Sequence, residues 1–270
     1  MNRIDALFQQ VRERGRPAFA AYVTAGDPDL ARTNAIVHAL VEAGVELIEY
    51  GVPFSDPIAD GPVIQRAALR SLKGGTTVSA ILKSLRSLRD EGCEAAISLF
   101  GAYNPFLHRG LETICREARD AGADGLLIPD LPPDEASELR RLVGEHDLRL
   151  TFLLAPTSNA ERVRLVTDAC TGYVYCVSLR GVTGERDAIP ADLEAFLSRT
   201  REATDKPLLV GFGISKPEHV AAIAPHADAI VVGSAFVRLI EEHADAPDLP
   251  ERAAALARSL IDAMPAQARA

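Results

Sequence analysis

No apolar run in the 270-residue sequence approaches the roughly 20 residues that a membrane-spanning helix requires. The opening segment Met1-Asn2-Arg3-Ile4-Asp5 carries charge where a secretion signal needs an apolar stretch. Cysteine is scarce. Cys93, Cys115, Cys170 and Cys176 form no CxxC pair and no metal-ligand spacing, so they read as small buried hydrophobes of a reducing compartment. Together these absences predict a cytoplasmic protein. Positive charge is also lacking: with a formal net charge of −9, nothing offsets repulsion from nucleic acid or an anionic membrane surface. A small phosphorylated substrate is not excluded, because backbone N–H groups and helix N-termini can hold it locally.

What is present is a rhythm. Apolar, β-branched runs at 18–23, 47–50, 95–100, 125–128, 149–154, 172–177, 207–210 and 229–232 alternate with amphipathic stretches at 29–43, 111–121, 134–145, 159–168, 191–203 and 217–223. Strands with so little polar alternation belong to a parallel sheet covered by helices. Eight such repeats within about 250 residues predict an α/β fold of the (β/α)8 TIM-barrel type. No GxGxxG follows the first strand, which disfavours an open dinucleotide-binding sheet. Extra N- and C-terminal helices, at 4–14 and 250–263, fall outside the repeat; the first is placed to plug the barrel bottom. No linker divides the chain, so residues 1–270 read as one domain. Two intervals are long: 51–61 plus two helices after the second strand, and 178–190 after the sixth. Loops at the carboxyl ends of barrel strands build active sites, so both are candidates for function.

Glu49 shares a strand face with Leu47, and if Leu47 fills the barrel, Glu49 projects from its rim. A solvated strand-end carboxylate is the bland alternative. The segment Pro53-Phe54-Ser55-Asp56-Pro57-Ile58-Ala59-Asp60-Gly61-Pro62 supplies Asp60, which is either a helix N-cap or a second carboxylate facing the same cleft. Across the barrel, Gly211-Phe212-Gly213 and Gly233-Ser234 follow strands seven and eight, the common phosphate position of this fold, although glycine pairs also serve plain turns. The four lysines (Lys73, Lys83, Lys206, Lys216) fall on outer helices, below a strand or beyond the glycine loop. None is placed as the desolvated amine of a Schiff-base aldolase. The six histidines show no catalytic-metal spacing. Acid–base chemistry by carboxylates remains, with no metal.

The run from Glu49 through Gly51-Val52-Pro53-Phe54-Ser55-Asp56-Pro57 to Pro62 resembles the signature of the tryptophan synthase alpha subunit family. So do Thr24-Ala25-Gly26-Asp27-Pro28, Pro129-Asp130-Leu131-Pro132, Gly181-Val182-Thr183-Gly184, Gly211-Phe212-Gly213-Ile214-Ser215 and Val232-Gly233-Ser234, spread in order over nearly the whole chain. The resemblance implies cleavage of indole-3-glycerol phosphate to indole and glyceraldehyde 3-phosphate, with acid–base catalysis by Glu49 and Asp60. It implies a substrate pocket of Tyr22, Phe100, Leu127, Leu153 and Tyr175, with Thr183 on a lid over 180–190. It implies phosphate binding by Gly184, Phe212, Gly213, Gly233 and Ser234.

No cofactor is implied for this chain. The partner is a pyridoxal-phosphate beta subunit in an alpha2beta2 heterotetramer, met by rim loops at 53–61 and 103–109. Two departures from the family pattern stand beside the catalytic strand ends: Tyr50, where an aliphatic residue is usual, and Ala102, where a tyrosine is common. They keep open the reading of a non-catalytic barrel that activates a beta subunit; the other readings are a sugar-phosphate isomerase or epimerase, which would share the glycines, and a stand-alone lyase.

Overall fold

The computed structural model describes residues 1–177, 191–211 and 213–265. Its strands are β1 (Ala18–Thr24), β2 (Leu47–Gly51), β3 (Ala96–Phe100), β4 (Gly125–Leu127), β5 (Arg149–Thr151), β6 (Leu153–Leu154), β7 (Val174–Val177), β8 (Leu208–Gly211) and β9 (Ala229–Val232). Every pairing is parallel, in the order β5-β4-β3-β2-β1-β9-β8-β7-β6. The two ends of that order, β5 and β6, are neighbours in the chain. The expected strand over 149–154 is therefore interrupted at Phe152, its first part on β4 and its second on β7, and it closes the ring. At the handover the Phe152 N–H turns to the Cys170 sulfur, 3.3 Å away, instead of to a ladder carbonyl. The architecture is the (β/α)8 barrel.

Alternation along the strands separates two buried layers. Phe19, Ala21, Val23, Ile48, Tyr50, Ile97 and Leu99 pack outward with the helices. Ala18, Ala20, Leu47, Ala96, Ala229 and Val231 face inward, and their small size makes room for the helix Arg3–Arg14. That helix buries Ile4, Leu7, Phe8 and Val11 inside the barrel bottom, each burial stabilising by about 1.5–3 kcal/mol. It is the predicted plug. Asn2 caps it by accepting from the Ile4 N–H at 2.9 Å, and donates to the carbonyls of Asp124 and Asp147 at 2.9 and 2.8 Å. A Cβ on Gly125 would lie 2.9 Å from Ile4 Cδ1, so this inward position stays bare.

One clamp recurs around the barrel bottom. An arginine from a helix's last turn, or close to it, meets an acid just before the next strand but one in chain order: Arg14 with Glu46, Arg89 with Asp124, Arg119 with Asp147, Arg201 with Asp228. Asp124 and Asp228 also accept from the strand N–H groups of Ile97 and Leu208, at 2.9 and 2.8 Å. The clamps tie each helix end to the sheet, where a cation also complements the helix dipole.

The long interval after β2 holds the helices Pro62–Lys73 and Val78–Asp90, as its length required. Residues 103–109, expected as a rim loop, form the helix Tyr103–Arg109; Asp130 caps it from outside, accepting from the Tyr103 N–H at 2.8 Å. The helix Leu249–Ile261 packs into the outer layer beside Leu30–Glu42.

Candidate active site

Parallel register places Glu49 of β2 between Tyr22 of β1 and Ser98 of β3 near the carboxyl end of the barrel. Its side chain points inward with only 1% exposure, and among the described residues Oε1 has no hydrogen-bond partner. Burial without an opposing charge favours the neutral acid and pushes its pKa up to about 8. The solvated-carboxylate reading is excluded.

Asp60 arrives on the proline-stiffened loop that follows β2. The next helix begins at Pro62 with Gly61 as its N-cap, and no side chain caps it. The Asp60 carboxylate is thus not consumed by capping; it faces the same cavity as Glu49. Its backbone is anchored instead, the N–H donating to Pro57 O at 3.0 Å and the carbonyl accepting from Gln65 Nε2 at 2.9 Å. Burial, and then the nearby Asp130 charge, raise its pKa to about 6. Burial thus raises both carboxyls of one cavity, Glu49 further than Asp60, which suits them to separate acid and base duties.

The cavity opens to solvent at the barrel mouth and, with that open space counted, has an empty volume of about 620 Å³. Tyr22, Phe100 and Tyr175 form aromatic walls, with Tyr22 and Phe100 edge to face at 5.3 Å. Two glycines admit the tyrosines: a Cβ on Gly51 would lie 2.3 Å from the Tyr22 hydroxyl, and one on Gly211 would lie 2.4 Å from that of Tyr175. On the far side stand Gly213, at φ +74°, and Gly233 with Ser234, where the helix Ser234–Glu242 opens with no side-chain cap. Its free N–H groups and dipole suit an anion there.

Of the residues singled out in the sequence, Tyr22, Glu49, Asp60, Phe100, Tyr175, Gly213, Gly233 and Ser234 converge on this one cavity. Leu127 and Leu153 do not line it. They belong to the apolar interior cluster, one buried and one partly so, and stand in register with wall residues, Leu127 with Phe100 and Leu153 with Tyr175. Thr183, Gly184 and Phe212 lie outside the described residues, as does the segment 180–190. Gly61, Ile64, Ile214 and Val231 also line the cavity. Val231 could have been found by its inward parity with Ala229, and Ile64 by its place one turn after Asp60. Among the described residues no lysine lines the cavity.

The departure at Tyr50 resolves differently from expectation. Tyr50 faces the helix layer, and its hydroxyl meets Ser84 Oγ at 2.9 Å and donates to Asn34 Oδ1 at 3.1 Å. It does not touch the cavity. Ala102 lines a smaller cleft at the barrel mouth, which it shares with Asp60, Phe100 and Asp130.

A (β/α)8 barrel whose cavity holds two carboxyls, aromatic walls and a glycine-lined helix N-terminus has the layout of an acid–base barrel enzyme. The sequence matches the family profile of the tryptophan synthase alpha chain over residues 8–264. It is 48% identical over 260 residues to the tryptophan synthase alpha chain of Solibacter usitatus, covering 96% of this chain and 97% of that one. With that of Geobacter sulfurreducens it shares 46% identity over 241 residues, 89% of this chain and 91% of the relative. The crystal structure of tryptophan synthase subunit alpha from Legionella pneumophila superposes with a TM-score of 0.90 at 36% identity, covering 97% and 98% of the two chains. The chain belongs to the tryptophan synthase alpha chain family, the lyase that cleaves indole-3-glycerol phosphate to indole and glyceraldehyde 3-phosphate in tryptophan biosynthesis.

Proposed function

We propose that Glu49 and Asp60 carry the cleavage as acid and anionic partner, in a complex with a beta subunit. The observation that carries this reading is that two carboxyls share one cavity, Glu49 fully buried without an opposing charge and Asp60 on the more open rim. Neutral Glu49 donates its proton to C3 of the indole ring, and the ring nitrogen takes up positive charge as an indolenine. Ionised Asp60 stabilises that charge through the ring N–H. Glu49, now a carboxylate, recovers a proton from the C3′ hydroxyl; the C3–C3′ bond breaks, the aldehyde forms, and its electron pair returns to the ring. The indole is its own electron sink, so the step needs no imine.

The substrate's phosphate sits against Gly213, Gly233 and Ser234, opposite the carboxyls, with the apolar ring between Tyr22, Phe100 and Tyr175. Gly184, Phe212 and Thr183 complete the site as the family pattern implies. Leu127 and Leu153, in register with Phe100 and Tyr175, extend the apolar wall as the family pattern implies. The reading of a non-catalytic activator loses its main support, because Tyr50 is turned away from the cavity and both carboxyls face it.

Indole is apolar and diffuses, so the product is best handed directly to a beta subunit carrying pyridoxal phosphate, in an alpha2beta2 assembly. Ile58 on the Asp60 loop is 88% exposed and Leu107 on the helix Tyr103–Arg109 is 49% exposed, and this pair of large apolar side chains on the barrel rim supports that interface. The chain works in the cytoplasm; among the described residues no helix is long and apolar enough to cross a membrane. The test is indole release from indole-3-glycerol phosphate by the wild type, Glu49→Gln and Asp60→Asn. Each variant should lose a factor of about 10²–10⁴ while remaining folded, and near-normal release by either removes that residue from the mechanism.

A further inference from the structure

The helix Pro62–Lys73 begins just after Asp60 and holds its backbone, the Asp60 carbonyl accepting from Gln65 Nε2 at 2.9 Å. Wherever this helix sits, Asp60 sits with it. Ile64 from its first turn lines the cavity, and Ala67 packs with Tyr22 and Val237. Val237 belongs to the helix Ser234–Glu242, whose open N-terminus reaches the same cavity. Charge joins the two helices a second time. Arg66 grips Glu241 with two bonds of 2.7 Å, and Arg70, one turn further on, adds another at 2.7 Å. The Arg70 guanidinium also forks onto the fully buried Asp27 carboxylate in the loop after β1, at 2.9 and 2.8 Å. Ser71 Oγ ties the same loop by donating to the Ala25 carbonyl at 2.6 Å. None of Asp27, Arg66, Arg70 and Glu241 lines the cavity itself.

We infer that Arg70 and Glu241 are positioning residues for Asp60. With Arg66 and Asp27 they lock the helix Pro62–Lys73 to the helix at the anion site and to the β1 loop, and so fix the span between the Asp60 carboxyl and the substrate's phosphate. Isolated surface ion pairs hold little, but these are forked, charge-assisted bonds in a network with one member out of solvent. A substrate held at both ends reacts only where both ends are in place, and a displacement of about 1 Å lowers the rate by up to about a hundred-fold. The inference rests on the reading of Asp60 as a catalytic residue, so its test separates the two.

Glu241→Ala unlocks the two helices and leaves the buried Asp27 paired with Arg70. Its kcat for indole release should fall about ten-fold, with the inhibition constant of glycerol phosphate within about two-fold of the wild type. Amide hydrogen exchange over residues 60–66, read by mass spectrometry, should quicken. Arg70→Lys, a single ammonium that cannot fork onto Asp27 and reach Glu241 together, should show the same split between kcat and inhibition. Placed on Asp60→Asn, Glu241→Ala should cost no further activity. Unchanged exchange over 60–66 in Glu241→Ala overturns the inference, whatever the activity. So does a wild-type kcat in that variant while Asp60→Asn is impaired, or a loss of kcat that persists undiminished on Asp60→Asn. If exchange quickens and Asp60→Asn still cleaves at the wild-type rate, the lock stands and the catalytic reading of Asp60 falls.

Discussion

Replacing Glu49 with glutamine should stabilise the protein more as the pH rises. The carboxyl ordinarily titrates near 4.5, and burial moves it to about 8 in the folded chain. Folded protein therefore binds this proton more tightly than unfolded protein does. Below pH 4.5 both states are protonated and the group costs nothing. Between 4.5 and 8 the unfolded state gains from ionising while the folded state does not, and stability falls by about 1.4 kcal/mol per pH unit. The loss reaches about 3 kcal/mol at pH 7 and about 5 kcal/mol above pH 8, against a total stability on the order of 5–15 kcal/mol. At 1% exposure Glu49 has little solvent to screen this cost.

Glutamine cannot ionise. It pays instead a fixed cost of about 1–3 kcal/mol for a buried amide, independent of pH. The diagnostic is therefore the slope of the difference with pH, not its sign at one pH. The chain has no tryptophan, so unfolding in urea is best followed by far-UV circular dichroism, at about pH 5, 7 and 9. The variant should gain about 4 kcal/mol on the wild type over that range. Parallel stability curves would mean that Glu49 ionises freely in the folded state, and the neutral-acid role would fall. The same substitution should nearly abolish cleavage, which is the trade expected where a strained group does the chemistry.

Three further outcomes are expected. Ser234→Ala should weaken inhibition by glycerol phosphate by about 1 kcal/mol, roughly five-fold, with kcat at saturation little changed; equal inhibition constants would move the phosphate away from this helix. Tyr50→Phe should cost about 1 kcal/mol of stability through the lost contacts with Asn34 and Ser84, leaving kcat unaltered; a large fall in kcat would mean that Tyr50 reaches the chemistry. Leu107→Glu should weaken association with a beta subunit at least ten-fold in a pull-down titration, with the isolated chain's activity unchanged; undiminished binding would exclude this rim as the interface.

Parity was the strongest signal in the chain. The inward placement of Leu47 predicted that of Glu49, and the barrel bears it out. The same parity turns Tyr50 outward, so its irrelevance to the cavity was legible too. Its partners were not, since Asn34 and Ser84 come from two helices whose packing no local pattern specifies. The break at Phe152 was hidden because an apolar run reads the same whether one strand or two neighbours share it. The helix Tyr103–Arg109 was missed because it is one short stretch with a proline inside it, capped by Asp130 from a distant loop. Leu127 and Leu153 were assigned to the pocket through family resemblance; parity puts them inside the barrel, in register with the wall residues Phe100 and Tyr175.

Catalysis by a protonated Glu49 beside an ionised Asp60 is tested most directly by the pH dependence of indole release from indole-3-glycerol phosphate. The rate should require Asp60 unprotonated and Glu49 protonated, so the profile should be a bell with limbs near 6 and 8. Asp60→Asn should remove the acid limb from whatever activity remains. A wild-type rate that is flat from about pH 5 to 9, or that keeps rising above pH 8, would contradict the assignment.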